Sequence, residues 1–372
     1  MLSRPRGRTV DEDRSHRHRH HEDIGSHVSE TIQFGVGFGG TLAPAAYPAL
    51  AARLEELGFD VATVFGDLMM QPPAMVLASM AEATSRIQLG VGCYTPWTLH
   101  PVEVAGQLAY IDHLSQGRAF MGIVRGAWLD QLHLDTSHSL AAVTDTVAIV
   151  RQLLSGSGEG YQGRVYSVNA GTTPFYPVLR ESIPLMVGTW SPRLAEYAGA
   201  HADQVQVGGC ANPAMAPIVK EFAAVGEHAA GRPPGGVDIV LTAVTVVDED
   251  GDAARARART EVALPFQVIA GLDRTLDVDP DLLNRMDVLL RAHRYEEAGR
   301  LIPDDLLDKF TFTGTPDEVA EHAAAVYDAG AKRIEFDTPF GLTPESGVDL
   351  LGNRVLPILR SAGYRSEALA SA

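Results

Sequence analysis

The feature that most constrains the fold is the alternation of short apolar runs with helical segments from residue 31 onward. Apolar runs bounded by turn residues predict buried strands, and the segments between them carry helix-start signals and helical periodicity. Because a strand–helix–strand order places neighbouring strands in parallel, the alternation predicts an α/β protein. The predicted strands lie at 31–37, 60–65, 87–92, 119–124, 183–188, 204–207, 237–247 and 333–336.

Eight strand–helix units in 372 residues match the count and the usual length of a (β/α)8 TIM barrel. A doubly wound open sheet is the structural alternative. Residues 250–308 hold helical material that a minimal barrel does not need, and they are predicted to form an insertion before the last units. The barrel itself is assigned to residues 31–362, followed by a tail over 363–372. Residues 1–30 hold five of the 13 histidines and almost no apolar periodicity, which predicts a disordered extension.

Composition narrows the class of protein. Hydrophobic residues make up 45% of the chain and charged residues 21%, as expected of a globular protein with a large core. A formal net charge of −17 disfavours nucleic-acid binding, because phosphate repels such a surface. No apolar run is long enough for a membrane span and none resembles a signal peptide, so no membrane association is expected. With Cys93 and Cys210 as the only cysteines, a cytoplasmic location is expected.

The carboxyl ends of the predicted strands carry small, polar and aromatic residues. In a TIM barrel these ends converge on one mouth, where ligands bind. Such a mixture suits a mostly apolar pocket with a few polar anchors. The candidate site residues are Asp67 after the second strand, Gly92, Cys93, Tyr94 and Thr95 at the third, Arg125, Gly126 and Asp130 after the fourth, and Gly188, Thr189, Ser191 and Pro192 after the fifth.

Three of these positions can be explained by a purely structural role as well as by ligand binding or catalysis. Asp67 is a candidate to bond a hydroxyl or ring nitrogen of a ligand, or else to cap the next helix. Ser191 before Pro192 predicts an N-capped helix whose first turn suits a phosphate, or else needs no ligand. Cys93 has no neighbouring base in sequence, which favours a small wall residue over a catalytic thiolate.

Several other chemistries find no support in the sequence. No spacing of ligands indicates a metal site, and neither a Walker A loop nor a Gly-x-Ser-x-Gly elbow is present. Gly35, Gly37 and Gly40 match the letters Gly-x-Gly-x-x-Gly, but no acidic residue ends the second strand at the place that a dinucleotide fold requires, so a Rossmann fold is rejected.

The segments 92–101 (GCYTPWTLHP) and 111–118 (IDHLSQGR) resemble those of the bacterial luciferase-like superfamily of flavin-dependent oxidoreductases. The segments 198–203, 312–319 and 337–341 support the resemblance, which runs from about Ile32 to Arg360 and is greatest to the branch that uses coenzyme F420, including methylenetetrahydromethanopterin reductases. It implies a TIM barrel with an insertion and a non-prolyl cis peptide bond, here Gly92–Cys93, behind the cofactor ring. It also implies that Asp67, Cys93, Thr95, Gly126 and Asp130 line the deazaflavin, and that Gly188, Thr189, Ser191 and Pro192 meet its phosphate region.

The chain also departs from the patterns of this branch. Leu68 stands where related dehydrogenases often carry His, and Ala127 stands where the sugar-phosphate branch has Glu. Arg125 is itself unusual at its position and is predicted to orient an anionic substrate or cofactor group, and Asp67 or Tyr94 is predicted to supply a proton.

The resemblance and these departures together predict an F420-dependent oxidoreductase that transfers hydride between the deazaflavin and a small organic substrate. Reduction of a C=C or C=N bond is favoured, because no strong base for alcohol oxidation is evident. The alternatives are an FMN-dependent luciferase-like monooxygenase and a noncatalytic barrel that binds a ligand or a partner subunit. A homodimer is also expected, with the insertion as a candidate contact.

Overall fold

The computed structural model describes residues 31–366. The predicted extension over residues 1–30 and the last six residues of the predicted tail lie outside this range. Eleven strands occur in the described chain. Their bounds are β1 Gln33–Phe38, β2 Val61–Val64, β3 Gln88–Tyr94, β4 Ala119–Val124, β5 Tyr161–Gln162, β6 Ser167–Val168, β7 Leu185–Gly188, β8 Gln204–Gly208, β9 Asp238–Val247, β10 Thr311–Gly314 and β11 Arg333–Gly341.

Eight of these strands form a closed parallel barrel. Pairing runs from β1 through β2, β3, β4, β7, β8 and β9 to β11, and β11 pairs again with β1. The short strands β5 and β6 form a separate antiparallel hairpin. The predicted (β/α)8 TIM barrel is therefore confirmed, and the open sheet is excluded because the first and last strands are hydrogen-bonded to each other.

Strand β10 is absent from the sequence prediction. The ten residues of β9 pair with β8 along their first half and with β10 along their second half. β10 spans only four residues directly after a helix, so its sequence carries no period that could separate it from the helix end.

Helices cover the outside of the barrel and form the predicted insertion. The barrel helices are α1 Tyr47–Leu57, α2 Pro73–Glu82, α3 Pro101–Leu114, α4 Ser139–Ser155, α5 Pro192–His201 and α6 Met215–Ala229, and four insertion helices follow: α7 Gly251–Ile269, α8 Pro280–Arg291, α9 Tyr295–Gly299 and α10 Asp304–Phe310. The last helices are α11 Pro316–Asp328, α12 Pro344–Leu350 and α13 Leu356–Ser361, with a π-helical turn at Leu351–Val355 between α12 and α13. The insertion has its own apolar core around Phe266, Met286 and Phe310.

Alternation along the strands separates the two sides of the barrel wall. On β11, Ile334 and Phe336 join the large apolar core between strands and helices. The residues that alternate with them, Arg333 and Glu335, are buried inside the barrel. The same period of two places glycine on the inward face of several strands, where neighbouring side chains occupy the space: a Cβ on Gly90 would lie 2.1 Å from the Phe120 ring.

The described chain begins and ends on one side of the barrel. The N–H of Ile32 donates to the carbonyl of Arg365 at 3.1 Å, and Ile32 also forms a parallel bridge with Ser366. Barrel contacts therefore continue into the segment predicted as a tail. No helix within residues 31–366 is long and apolar enough to cross a membrane.

Candidate active site

The end of β3 has the backbone form that the resemblance implies. The peptide bond between Gly92 and Cys93 is cis, and the pairing of β3 with β4 is interrupted between Val91 and Tyr94. Glycine is required at this position, because a Cβ on Gly92 would lie 2.1 Å from the Cγ2 methyl of Thr63. The bulge is therefore seated directly against β2.

Cys93 lies at the centre of this wall. Its thiol is buried and donates to Oε1 of Gln206 at 3.7 Å. A Cβ on Gly66 would lie 2.2 Å from the Cys93 carbonyl oxygen, and a Cβ on Gly188 would lie 3.2 Å from the Cys93 sulfur. Burial, followed by the negative charges of Glu335 and Asp67, raises the pKa of the thiol, so Cys93 is a neutral wall residue.

The loop after β4 meets the loop after β3. The hydroxyl of Thr95 donates to the carbonyl oxygen of Arg125 at 3.3 Å. Gly126 has φ +97°, and a Cβ there would lie 2.7 Å from the Thr95 hydroxyl, so this close approach needs glycine. The side chain of Arg125 is exposed beside this contact, and Asp130 is exposed further along, on the 3-10 helix Leu129–Leu132.

The segment from Thr189 to Pro192 closes another side of the mouth. The N–H of Thr189 donates to the carbonyl of Gln206, and the N–H of Ser191 donates to the Thr189 hydroxyl, both at 2.8 Å. Ser191 occupies the N-cap position before Pro192 as predicted, but its side chain makes no capping hydrogen bond. The predicted side-chain cap is therefore wrong, and the Thr189 hydroxyl accepts from the N–H of Ser191 itself and not from the first turn of α5.

Asp67 lies on the rim after β2. It does not cap α2, whose N-cap position is Pro72 with no side-chain cap, so that alternative is wrong. The carboxyl is open to solvent, yet surrounding protein reduces its hydration and raises its pKa. Asp67 follows the end of β2 by three residues, and its negative charge helps to raise the pKa of Cys93 and of Asp337.

Tyr94 is not brought to the mouth. Its ring belongs to the apolar core between strands and helices, because the residue after the bulge points outward from the barrel. Its hydroxyl has no hydrogen-bond partner in the described chain, and burial raises its pKa, so the phenol is neutral. The structure gives no support to Tyr94 as a proton donor.

A buried polar network beneath the mouth was missed by the sequence prediction. Glu335 accepts hydrogen bonds from Thr63 Oγ1 at 2.7 Å and from Gln206 Nε2 at 2.8 Å. Arg333 Nη2 lies 3.1 Å from Glu335 Oε1, and neither side chain is exposed. The sequence signal was present, since Arg333, Glu335 and Asp337 occupy every second position of an otherwise apolar strand.

A groove of about 510 Å³ lies elsewhere, between the second half of α4, the β5–β6 hairpin and the residues before β7. Its position at the amino-terminal side of the strands separates it from the residues described above. TIM-barrel enzymes bind their substrates at the opposite, carboxyl-terminal face, and we assign the candidate site there.

The closed barrel of eight parallel strands assigns the chain to the class of TIM-barrel enzymes. Glycines, a carboxyl group and a backbone bulge surround the mouth at the carboxyl ends of its strands. The chain belongs to the luciferase-like monooxygenase family, whose model matches residues 25–333. This membership confirms the predicted family and makes the chain an oxidoreductase.

Individual relatives agree with this assignment. The 5,10-methylenetetrahydromethanopterin reductase of Archaeoglobus fulgidus is 27% identical over 316 residues, which cover 82% of this chain and 93% of that enzyme. The F420-dependent glucose-6-phosphate dehydrogenase of Kineococcus radiotolerans is 25% identical over 337 residues, covering 86% and 94%. The solved structure of the coenzyme F420 dependent tetrahydromethanopterin reductase from Methanopyrus kandleri matches with a TM-score of 0.81 at 22% identity, covering 89% and 100%. That match shows the shared fold.

Proposed function

We propose that the chain is an F420-dependent oxidoreductase that transfers hydride between the deazaflavin and a small organic substrate. The observation that carries this proposal is the wall around the Gly92–Cys93 bulge, where a Cβ on Gly66 would lie 2.2 Å and one on Gly188 3.2 Å from atoms of Cys93, so that both positions present only backbone. A wall without side chains suits the face of a planar ring. The names of the relatives, which include F420-dependent enzymes, support F420 as that ring.

The residues at the mouth fit such a cofactor. A Cβ placed on Gly208, at the end of β8, would meet no atom within 4 Å, so open space faces this glycine. Beside it, Trp190 Nε1 donates to the Gly208 carbonyl at 2.9 Å and fixes the indole as a side wall. The exposed Arg125 and Arg193 supply positive charge for anionic groups of the cofactor or substrate. We retain Thr95, Gly126, Asp130, Thr189, Ser191 and Pro192 as proposed cofactor contacts.

The chemistry follows from what the protein must do around the cofactor. Bound reduced F420 supplies a hydride, and the chain must bind, orient and shield the reacting atoms from water. Neither Leu68 nor Ala127 can take a proton from an alcohol. We therefore propose reduction of an activated C=C or C=N bond, with Asp67 as a solvent-exposed carboxyl on the rim.

An FMN-dependent monooxygenase is the second candidate, favoured by the description of the matching family. Titrating the purified chain with F420 and FMN separately, followed by fluorescence, discriminates between the two. We expect F420 to bind and reduced F420 to be oxidised by cyclohex-2-enone or 1-pyrroline. Tight binding of FMN without F420 would favour the monooxygenase, and binding of neither would favour a noncatalytic barrel.

A matched pair of variants tests where the cofactor binds. Gly208→Leu extends a side chain into the proposed site, and Gly271→Leu extends one from the surface of the insertion, where a Cβ also meets no atom within 4 Å. We expect Gly208→Leu to abolish F420 binding while the protein remains folded, and Gly271→Leu to bind as the wild type does. Equal binding by both variants would place the cofactor elsewhere.

We also propose a homodimer, through one face defined here as the α2–α3 face: Met75, Tyr110, Phe175 and Tyr176. Tyr176 lies over α3 near Gly106, and Phe175 beside it is fully exposed. α2 carries Glu82 as its one charged residue, and α3 adds the exposed Glu103, whose negative charge, after burial, raises the pKa of Tyr176. Burying these side chains would remove about 500 Å² per subunit, a large part of the roughly 800 Å² per partner in standard interfaces.

Sedimentation of two variants tests this interface against the insertion. Tyr110→Asp lies on the α2–α3 face, and Val288→Asp lies on the insertion, where Val288 is 68% exposed. We expect monomers from the first variant and dimers from the second. The reverse result would support the insertion as the contact. The free thiols of Cys93 and Cys210 agree with a reducing, cytoplasmic location, which remains a proposal.

A further inference from the structure

Asp337 is the last inward-facing residue of β11 before the register of this strand shifts, and it lies at the level of the mouth. It pairs with Gly37 of β1, and a Cβ on Gly37 would lie 2.2 Å from Asp337 Oδ1. The carboxyl group therefore extends across the end of β1, into the space that a side chain at position 37 would fill. Phe65 Cε1 lies 2.8 Å from the same Cβ position on Gly37, so the Phe65 ring packs against this space as well.

The two oxygens of this carboxyl group are in different surroundings. Oδ2 accepts a hydrogen bond from the hydroxyl of Thr242. Oδ1 is buried and has no hydrogen-bond partner within residues 31–366. A buried carboxylate normally binds a cation or several donors, because an unpaired buried charge is costly. A protonated carboxyl removes the charge and places an O–H at Oδ1.

The charged groups that act on Asp337 oppose ionisation. They are the carboxylates of Glu335, two residues earlier on β11, and of Asp67 on the loop after β2. Arg333, the nearest cation on β11, is bonded to Glu335. Burial and then Glu335 raise the pKa of Asp337 well above its ordinary value, and the Thr242 hydrogen bond offsets this only in part.

We propose that Asp337 and Asp67 form an acid pair at the barrel mouth, in which Asp337 holds the proton that completes reduction of the substrate. This inference rests on the proposed function. When hydride adds to one atom of a C=C or C=N bond, the electron pair of that bond moves to the other atom. That atom takes the proton from the Asp337 carboxyl group once the Phe65 ring moves away from Oδ1, which is buried in this structure, and Asp337 becomes a carboxylate. A proton from water, entering through Asp67, restores the acid.

The different exposure of the two carboxyls suits these roles. Asp337 is 8% exposed and is shielded from bulk water, whereas Asp67 is open to solvent on the rim. Pairs of carboxyls whose surroundings separate their pKa values are a recurring basis for acid and base assignments in enzymes. The pair also provides a proton source in a chain whose Leu68 and Ala127 cannot donate or accept a proton.

The first test needs no cofactor. Infrared spectra of the protein with 13C-labelled aspartate, recorded from pH 5 to pH 10, report the carbonyl stretch of protonated carboxyl groups. We expect a protonated band at pH 7 in the wild type that is missing in Asp337→Asn and present in Glu221→Gln, a control on the exposed side of α6. A wild type with no such band at pH 7 would overturn the proposal.

The second test measures turnover of cyclohex-2-enone and 1-pyrroline with reduced F420. Asparagine retains the shape and the acceptor for Thr242, so we expect Asp337→Asn to bind F420 normally. Its turnover should fall by roughly 100-fold or more, as for loss of a general acid, and should lose the alkaline limb of the pH profile. Unchanged turnover with an unchanged profile would overturn the role of Asp337.

A third variant keeps the proposal testable if Asp337→Asn does not fold. Thr242→Val removes the hydrogen bond that favours the ionised form, so the infrared band should persist to higher pH. A band that titrates at the wild-type pH would contradict the proposal. Failure of the wild type to bind F420, or to reduce either probe, would refute the proposed function separately, because the infrared band is measured without cofactor.

Discussion

The contact between Gly92 and Thr63 permits a sharp prediction about the backbone bulge. In Gly92→Ala the new methyl carbon would lie 2.1 Å from Thr63 Cγ2 and 3.6 Å from Thr63 Cβ. Thr63 cannot rotate freely to relieve this overlap, since its hydroxyl donates to Glu335 at 2.7 Å. Overpacking of this kind costs about 1–3 kcal/mol of unfolding free energy.

Thr63→Ser provides the matched correction. It removes the obstructing methyl and keeps the hydroxyl for Glu335, at a cost of about 1 kcal/mol when introduced alone. Because the serine leaves room for the alanine methyl, the double variant should be more stable than the sum of the single effects predicts. We expect a coupling free energy of about 1–2 kcal/mol in urea unfolding followed by circular dichroism. Strict additivity would refute the reasoning, because the methyl would then not be the obstacle.

Three further predictions concern buried groups. Glu335→Gln should lower the unfolding free energy by about 3–5 kcal/mol in urea titration, because Arg333 loses its buried counter-charge; a loss below about 1 kcal/mol would contradict this. Gly199→Ala should lower the melting temperature clearly, since its Cβ would lie 1.9 Å from the Ala223 carbonyl oxygen on α6; an unchanged midpoint would show that the helices can separate. Asp337 keeps a proton in the folded state that the unfolded chain releases above about pH 4. The unfolding free energy should therefore fall by up to about 1.4 kcal/mol per pH unit as the pH rises, until Asp337 ionises in the folded protein. This pH-dependent component should be absent in Asp337→Asn.

Local sequence patterns were sufficient for most of the barrel. The runs at 119–124 and 101–114 coincide with β4 and α3, because each has a clear period and a marked boundary, such as His100 before Pro101. Boundaries were less certain where strands continue past their apolar residues. β11 was predicted to end at residue 336 and continues to Gly341, since pairing with β9 resumes after a shift between Asp337 and Phe340.

The candidate site was only partly predictable, for a physical reason. Positions such as Cys93, Thr95 and Gly126 lie at or just after strand ends, so the barrel topology alone brings them together. Asp337 and Gly37 are 300 residues apart, and their contact depends on closure of β11 against β1. Tyr94 shows the opposite limit, because the bulge at Gly92–Cys93 changes the side of the wall on which the next residue lies.

The hydrogen bond between Ile32 and Arg365 has a practical consequence for engineering. Both residues lie beside the start of β1, while the mouth lies about 20 Å away at the other end of this six-residue strand. A short peptide could therefore join these two points, and new termini could be opened in a surface loop without crossing the substrate entrance. A surface support or a fused electron-supplying enzyme attached on this side would leave the entrance accessible.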